Sequence, residues 1–320
     1  MEKERKVSFM HILFAALIGS AAFLGAYVPL LLLLLPAFLA FVAVAWGNVC
    51  FAIALAAAAI GVYTGCGGVI VSALYDIAIF APAAVIIALV INKKQPHRVG
   101  VAAASGALAL GGYLLLCLPS LLAGKDPFAL LTEGMVSIVE SLTAVFKSMS
   151  EVPVGMADAL EYIQLLPSMV PEMATMLLVG AAMVAGFANY IIAYALSRRT
   201  VKELKPMAPF RLWQLSRSFT WGALILLLGA MIVTNRGMIN AAAISVAVQT
   251  ILVGPFALSG MCFFEFIASV RAGSGALIRI VVYAAVALMM PYSIIGLAII
   301  GMADRIFHIR KKYIDNIAQR

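Results

Sequence analysis

The feature that most constrains this chain is a series of long apolar stretches that recur from Met10 to Ala303. A helix of about 20 apolar residues crosses a hydrocarbon core of about 30 Å. None of the stretches shows the alternation of a transmembrane β-strand, and the 64% share of hydrophobic residues exceeds that of soluble domains. We therefore predict an all-α fold, a polytopic transmembrane helical bundle of about 8–10 helices.

The first apolar stretch follows a charged start and could be read as a signal peptide. A second stretch follows it after almost no polar spacer, so we predict a retained helix. Four cysteines lie in apolar segments without CxxC spacing, which favours buried thiols over a disulfide framework or a metal site.

The charges predict an orientation. Basic clusters around Lys3, Lys93, Arg198 and Arg305 alternate with an acidic region at 124–171. By the positive-inside rule, the basic clusters and the N-terminus face the cytoplasm, and 124–171 forms an outer loop. The net charge of +8 is then topogenic and requires no nucleic acid.

Candidate spans are assigned by hydropathy. They lie at about 8–27, 29–46, 48–66, 69–91, 99–122, 173–197 and 219–234, with further apolar stretches at 237–270 and 280–303. A cytoplasmic C-terminus requires an even number of spans, so we predict that 237–270 breaks at Pro255 into two short helices. Counts of eight or nine helices remain alternatives.

Within the outer loop, apolar residues recur every three or four positions from Phe128 to Met149. This spacing predicts an amphipathic helix on the outer membrane surface or over the end of the bundle. We divide the chain into a membrane core, 1–197, which includes the outer loop, and a second part, 198–320. The second part begins with a predicted cytoplasmic segment at 198–218, here called the elbow, and continues with the C-terminal helices.

Two carboxylates, Asp76 and Glu265, fall well inside apolar segments. A charge at such depth is costly unless it faces a cavity or a partner, so each is a candidate ligand or ion site. Tyr75 adjoins Asp76 and is included with it. For Glu265 the alternative is structural pairing with Arg271, Arg236, Arg279 or Tyr283. For Asp76 the alternatives are a structural hydrogen bond or ion pair and a misplaced span boundary.

Asn189 and Tyr190 are further polar residues at membrane depth and are included among the candidate substrate-binding residues. An asparagine in a span can also join helices by hydrogen bonds, so a purely structural role is the alternative.

Two features are candidate docking surfaces for a partner. Small residues in the first span form one, at Ala15, Gly19, Ala22 and Ala26. Phe210 and Trp213 in the elbow form the other. The alternatives are packing inside the bundle for the first and interfacial anchoring for the second.

The sequence contains no HExxH, GxxxxGK[ST] or GxSxG motif. We expect no enzymatic activity, no catalytic residues, no metal and no cofactor, and no ATPase within this chain.

Several segments resemble the YybS-like bacterial membrane proteins, a family of unknown function: "NYIIAYALSRR", "PFRLWQL", "LSGMCFFEF" and "IIGMADRIFHIRKK". That family tends to place a proline soon after the Trp-x-Leu of the elbow, where this chain has Ser216. This resemblance implies a multipass protein of the bacterial inner membrane.

The N-terminal part, roughly 8–92, is also similar to substrate-capturing S components of energy-coupling-factor transporters. That resemblance implies a bundle that binds a small molecule from outside and docks, through a small-residue face of its first helix, onto a transmembrane subunit carrying ATPases. Our first hypothesis is therefore a substrate-binding or solute-transport subunit. The alternative is a membrane scaffold or assembly factor without transport activity.

Overall fold

A computed structural model describes residues 8–25, 27–147, 156–237, 241–271, 292–310 and 312. Within these residues the regular structure is helical, and no strand occurs. The chain divides into two compact units, Met1–Pro206 and Met207–Arg320.

The first unit contains nine described α-helices. They are α1 (Phe9–Ser20), α2 (Ala22–Gly25), α3 (Pro29–Leu33), α4 (Leu35–Trp46), α5 (Asn48–Gly65), α6 (Ile70–Asn92), α7 (His97–Leu122), α8 (Ala129–Lys147) and α9 (Met156–Thr200). The second unit contains a short 3-10 helix and three described α-helices. These are the 3-10 turn Phe210–Leu212, then α10 (Arg217–Asn235), α11 (Ala241–Arg271) and α12 (Tyr292–Phe307).

Seven described helices are long and apolar enough to cross a membrane. They are α5 to α11, and two shorter apolar helical stretches cover Phe9–Gly25 and Leu31–Trp46. The outward side chains agree with this assignment, since Trp221, Ile225, Leu228 and Ile232 form an exposed apolar stripe along α10. The predicted polytopic helical bundle is confirmed.

The core of the first unit is centred on α4. Leu39 and Val42 of α4 are fully buried and belong to one apolar cluster with residues of α1, α5, α6, α7 and α9. Small residues allow the outer helices to approach this core closely. A methyl group added to Gly19 of α1 would overlap the carbonyl of Ala54 in α5.

The described residues of the predicted outer loop are largely helical. The amphipathic helix is present as α8, which has the most strongly one-sided distribution of apolar residues among the described helices. The N-terminal end of α8 is fixed to α7, because the Leu130 N–H donates to Ser120 Oγ at 3.2 Å and the Phe128 and Tyr113 rings lie 5.8 Å apart. Length and composition alone would also let α8 cross a membrane, so its surface position stays a prediction.

The helix that contains the sixth predicted span is much longer than that span. The span is predicted at 173–197, whereas α9 runs for 45 residues and passes through Pro167 and Pro171. At about 1.5 Å per residue the helix is about 68 Å long, more than twice the hydrocarbon thickness of about 30 Å.

The predicted break at Pro255 is wrong. Residues Ala241 to Arg271 form one continuous helix with Pro255 inside it. Proline removes a single backbone donor, whereas ending a helix inside lipid would leave several backbone groups without partners, so continuing the helix costs less. The first part of the predicted span 280–303, up to residue 291, lies outside the described residues.

In the second unit, α11 and α12 cross with their backbones in close contact. A methyl group on Gly260 would overlap the carbonyl of Leu297, and one on Gly301 would overlap the carbonyl of Phe256. Two glycines, one on each helix, therefore set the distance between these helices.

Candidate functional site

Asp76 lies in the second turn of α6, three residues inside the apolar segment Ala73–Asn92. Its side chain and that of Tyr75 are half-buried. None of the ion pairs between described residues involves Asp76, and no hydrogen bond from another described side chain reaches its carboxylate. Asp76 is thus a membrane-level acid without a counter-charge in the part of the chain that the structure describes.

Glu265 lies on α11 in the second unit and is half-buried, one turn after the fully buried Cys262. Two of its predicted partners, Arg279 and Tyr283, fall outside the described residues, as does the side chain of Arg271. Asp76 and Glu265 belong to different units, so a shared site for the two carboxylates stays a prediction.

Asn189 is fully buried on α9, and its amide bridges the junction between α3 and α4. Its Oδ1 accepts from the Ala37 N–H at 2.7 Å, and its Nδ2 donates to the carbonyl of Leu33 at 2.7 Å. In an unbroken helix these two backbone groups would bond to each other. The amide therefore stands between the two groups of a missing helical hydrogen bond.

The second Nδ2 hydrogen of Asn189 reaches the carbonyl of Ala185 at 2.8 Å. Both amide donors are thus used within the protein. This arrangement fits the structural alternative for Asn189, because a ligand would have to displace bonds that hold α3 and α4 together.

Tyr190, the residue after Asn189 on α9, is also fully buried. It belongs to a group of three aromatic side chains with His97 and Tyr194. A hydrogen bond of 3.0 Å joins its hydroxyl to His97 Nδ1 on α7. The His97 ring meets the Tyr194 ring edge-on at 4.5 Å, and the Tyr194 hydroxyl donates to the carbonyl of Lys205 at 2.8 Å. The group links α7, α9 and the chain that leaves α9.

Nothing in the sequence places His97 in this group. The signal that could have revealed it is Gly100, one turn along α7, because a methyl group at Gly100 would overlap the Tyr190 ring.

The predicted docking residues of the first helices are packed within the chain. Ala15, Gly19 and Ala22 are buried, and α1 and α2 pack against α5. Ala26 lies outside the described residues. A partner could reach this face only by displacing α5. Docking at this face stays a prediction.

In the elbow, Phe210 and Trp213 are half-buried, and their rings lie 6.0 Å apart. The Trp213 indole donates to the carbonyl of Ala208 at 2.8 Å. Both residues of this hydrogen bond lie within the elbow, so the bond stabilises its local conformation.

A buried ion pair in the second unit was missed by the sequence reasoning. Arg310 and Asp304 are 1% and 3% exposed, and Arg310 Nε and Nη2 each lie 2.7 Å from Asp304 Oδ2. Arg310 Nη1 also donates to the carbonyls of Arg211 and Trp213 at 3.0 and 2.9 Å. Arg310 follows Arg305 in the basic C-terminal cluster, and its charge holds the elbow against the end of α12.

The pairing of Arg310 with Asp304 involves a turn after α12 that has no recognisable sequence signature. His308, directly after the end of α12, has a positive φ of 55°, and two residues later the Arg310 N–H also donates to Asp304 Oδ1 at 3.1 Å. Asp304, unlike Asp76, is therefore paired with a counter-charge among the described residues.

Comparison with curated proteins and with solved structures gave no match. A family profile described as "Predicted membrane protein (DUF2232)" matches residues 12–305. The match spans both units and includes Asp76, the Asn189 bridge, Glu265 and Asp304. The chain belongs to this family of membrane proteins.

Proposed function

We propose that this protein is a membrane-embedded subunit that binds a small solute from outside the cell and depends on a separate partner for energy. The observation that carries the proposal is the Asp76 carboxylate, half-buried in an apolar helix without an ion pair among the described residues. Intramembrane acids are rare and mark substrate or ion paths.

The contrast with Asp304 sharpens the argument. Asp304 is neutralised inside the chain by Arg310, so its charge is accounted for by structure. Asp76 has no such partner among the described residues, and a cationic or hydrogen-bond-donating solute would supply one. The ligand class we propose is therefore a small amine or another positively charged metabolite.

The position of Asp76 also fits capture from outside. Seventeen residues of α6 separate Asp76 from Lys93 in the predicted cytoplasmic cluster, a distance of about 26 Å along the helix. With Lys93 at the inner boundary, Asp76 lies close to the outer boundary of a hydrocarbon core of about 30 Å.

The test compares Asp76→Asn with the parent protein, purified in detergent and heated with a panel of cationic and zwitterionic metabolites. We expect at least one compound to raise the apparent Tm of the parent and of Asp126→Asn, an exposed acid outside the spans, but not that of Asp76→Asn. Equal responses in all three proteins would refute binding at Asp76.

A scaffold or assembly factor is the second candidate, and the Asn189 and Arg310 networks favour it. Both sets of polar groups are used in holding helices and the elbow together. Mild extraction of the tagged protein followed by mass spectrometry separates the two. A transmembrane coupling subunit with ATPases supports the transport subunit, whereas envelope-assembly proteins without those subunits support the scaffold.

A further inference from the structure

Among the described residues, three polar side chains on α9 have a buried oxygen atom without a hydrogen-bond partner: Glu172, Thr175 and Ser197. Two of them, Glu172 and Thr175, lie close together in the sequence. Thr175 is 2% exposed, and its hydroxyl makes no hydrogen bond. Glu172, three residues earlier, is half-buried, and its Oε2 is buried and also without a hydrogen-bond partner. Residues three apart lie on the same face of a helix, so a hydroxyl and a carboxylate oxygen share one protected location.

The unpaired hydroxyl of Thr175 differs from the hydroxyls of five other helical threonines. Each of these donates to the carbonyl four residues earlier: Thr64, Thr132, Thr220, Thr234 and Thr250. That local bond satisfies a buried hydroxyl without any outside partner. The Thr175 hydroxyl does not make this local hydrogen bond, although burying a hydroxyl without a hydrogen bond costs about 1–3 kcal/mol.

Carboxylate and hydroxyl oxygens are ligands of hard cations.

The charge of the location selects the kind of cation. Glu172 takes part in none of the ion pairs between described residues. A single carboxylate in a protected environment is neutralised by one positive charge, while a divalent ion would leave an excess charge that is costly to bury. The chemistry therefore fits a monovalent metal ion.

The location is also reachable from water. Twenty-three residues separate Thr175 from Arg198, about 35 Å along the helix. With Arg198 at the inner boundary, as the charge pattern predicts, Glu172 and Thr175 lie just beyond a hydrocarbon core of about 30 Å. An ion could enter from the outer aqueous side.

We propose that Glu172 and Thr175 provide two ligands of a binding site for a monovalent cation, Na⁺ being the first one to test. Asp76 is not part of this site, and the proposal does not depend on solute transport.

The experiment measures the apparent Tm of the purified full-length protein in NaCl, in KCl and in choline chloride at equal ionic strength. Sodium or potassium is expected to raise the apparent Tm by several degrees over choline, with saturation at high concentration. Binding of radioactive ²²Na⁺ to the same samples is expected to reach about one ion per chain.

Glu172→Gln and Thr175→Val are expected to lose the cation-dependent rise, while Thr175→Ser, which keeps the hydroxyl, retains it. Glu140→Gln, an exposed acid on α8, is the matched control and keeps the full response. Loss of fold is detected separately, because a misfolded variant would also have a low Tm in choline.

Two outcomes would overturn the site. One is an equal apparent Tm in all three salts, which would mean that neither sodium nor potassium binds to these oxygens. The other is a cation response that persists in Glu172→Gln and Thr175→Val, which would place the ion elsewhere.

Discussion

The Asn189 side chain on α9 hydrogen-bonds to two backbone groups at the junction of α3 and α4, far away in the sequence. The break at Leu34, followed by Pro36, separates the Leu33 carbonyl from the Ala37 N–H, and the amide reaches both. Ala37 keeps a second bond to the carbonyl of Leu34, so the Leu33 carbonyl depends more strongly on Asn189.

We expect Asn189→Leu to lower the free energy of unfolding by about 1–3 kcal/mol, the cost of leaving a buried polar group without its partner. The apparent Tm of the purified protein measures this loss. Gln249→Leu is the matched control, because Gln249 is exposed and its amide bonds only to Ser245 of its own helix. An equal effect of both variants would contradict the bridging role.

The Arg310 pair makes a second residue-scale prediction. Arg310→Met leaves the Asp304 charge buried without a partner, and breaking such a pair costs about 3–5 kcal/mol. We expect a strong fall in apparent Tm, partly recovered by the double variant Asp304→Asn with Arg310→Met, since the double variant removes both charges. Lys312→Met, at an exposed basic residue nearby, should change little. No recovery in the double variant would argue against charge as the cause.

At the scale of helices, glycine decides how closely α7 approaches α9. Gly100 faces the Tyr190 ring so closely that a methyl group has no room, whereas Gly106 of the same helix has open space beside it. Alanine is intrinsically more favourable than glycine in a helix by about 1 kcal/mol, so the two positions should respond in opposite directions.

We therefore expect Gly100→Ala to reduce the apparent Tm and the yield of monodisperse protein in detergent, and Gly106→Ala to leave both unchanged or improved. Size-exclusion chromatography and thermal unfolding measure the two effects. A Gly100→Ala variant as stable as the Gly106→Ala variant would mean that α7 and α9 are not in contact at Tyr190.

The apolar stretches predicted the helical class and most helix positions, because crossing a bilayer requires a length and composition that are visible in the sequence. The extent of α9 was not predictable in this way. Charged residues and prolines at 158–172 are typical of a loop, but a helix outside the bilayer tolerates charge, and packing with α8 supports it. The proline rule failed at Pro255 because water is absent there to replace lost backbone bonds.

The candidate site was predictable only in part. Acids stand out in an apolar sequence, so Asp76 and Glu265 can be chosen as candidates from the sequence, and the structure shows both to be half-buried; a binding role for either stays a prediction. The pairing of Asp304 with Arg310 involves the turn at His308, and the unsatisfied oxygens at Glu172 and Thr175 depend on side-chain conformation. Neither property has a sequence signature, since each arises from tertiary packing.

For the whole molecule, the charge pattern predicts an orientation that can be measured directly. In a variant lacking the four native cysteines, we expect Lys125→Cys to react with a membrane-impermeant maleimide on intact cells. Lys202→Cys should react only after the membrane is permeabilised. Both lysines are exposed, so the two sites form a matched pair, and the reverse labelling pattern would invert the proposed topology.

The Asn189 bridge also has a consequence for how the protein is made. Leu33 and Asn189 are separated by 156 residues, and a ribosome adding about 5–20 residues per second needs roughly 8–30 s to cover that distance. During that interval α3 and α4 are already synthesised, but the side chain that joins them does not yet exist. The N-terminal helices must therefore wait in the membrane, or under the protection of the insertion machinery, until α9 emerges and closes the junction.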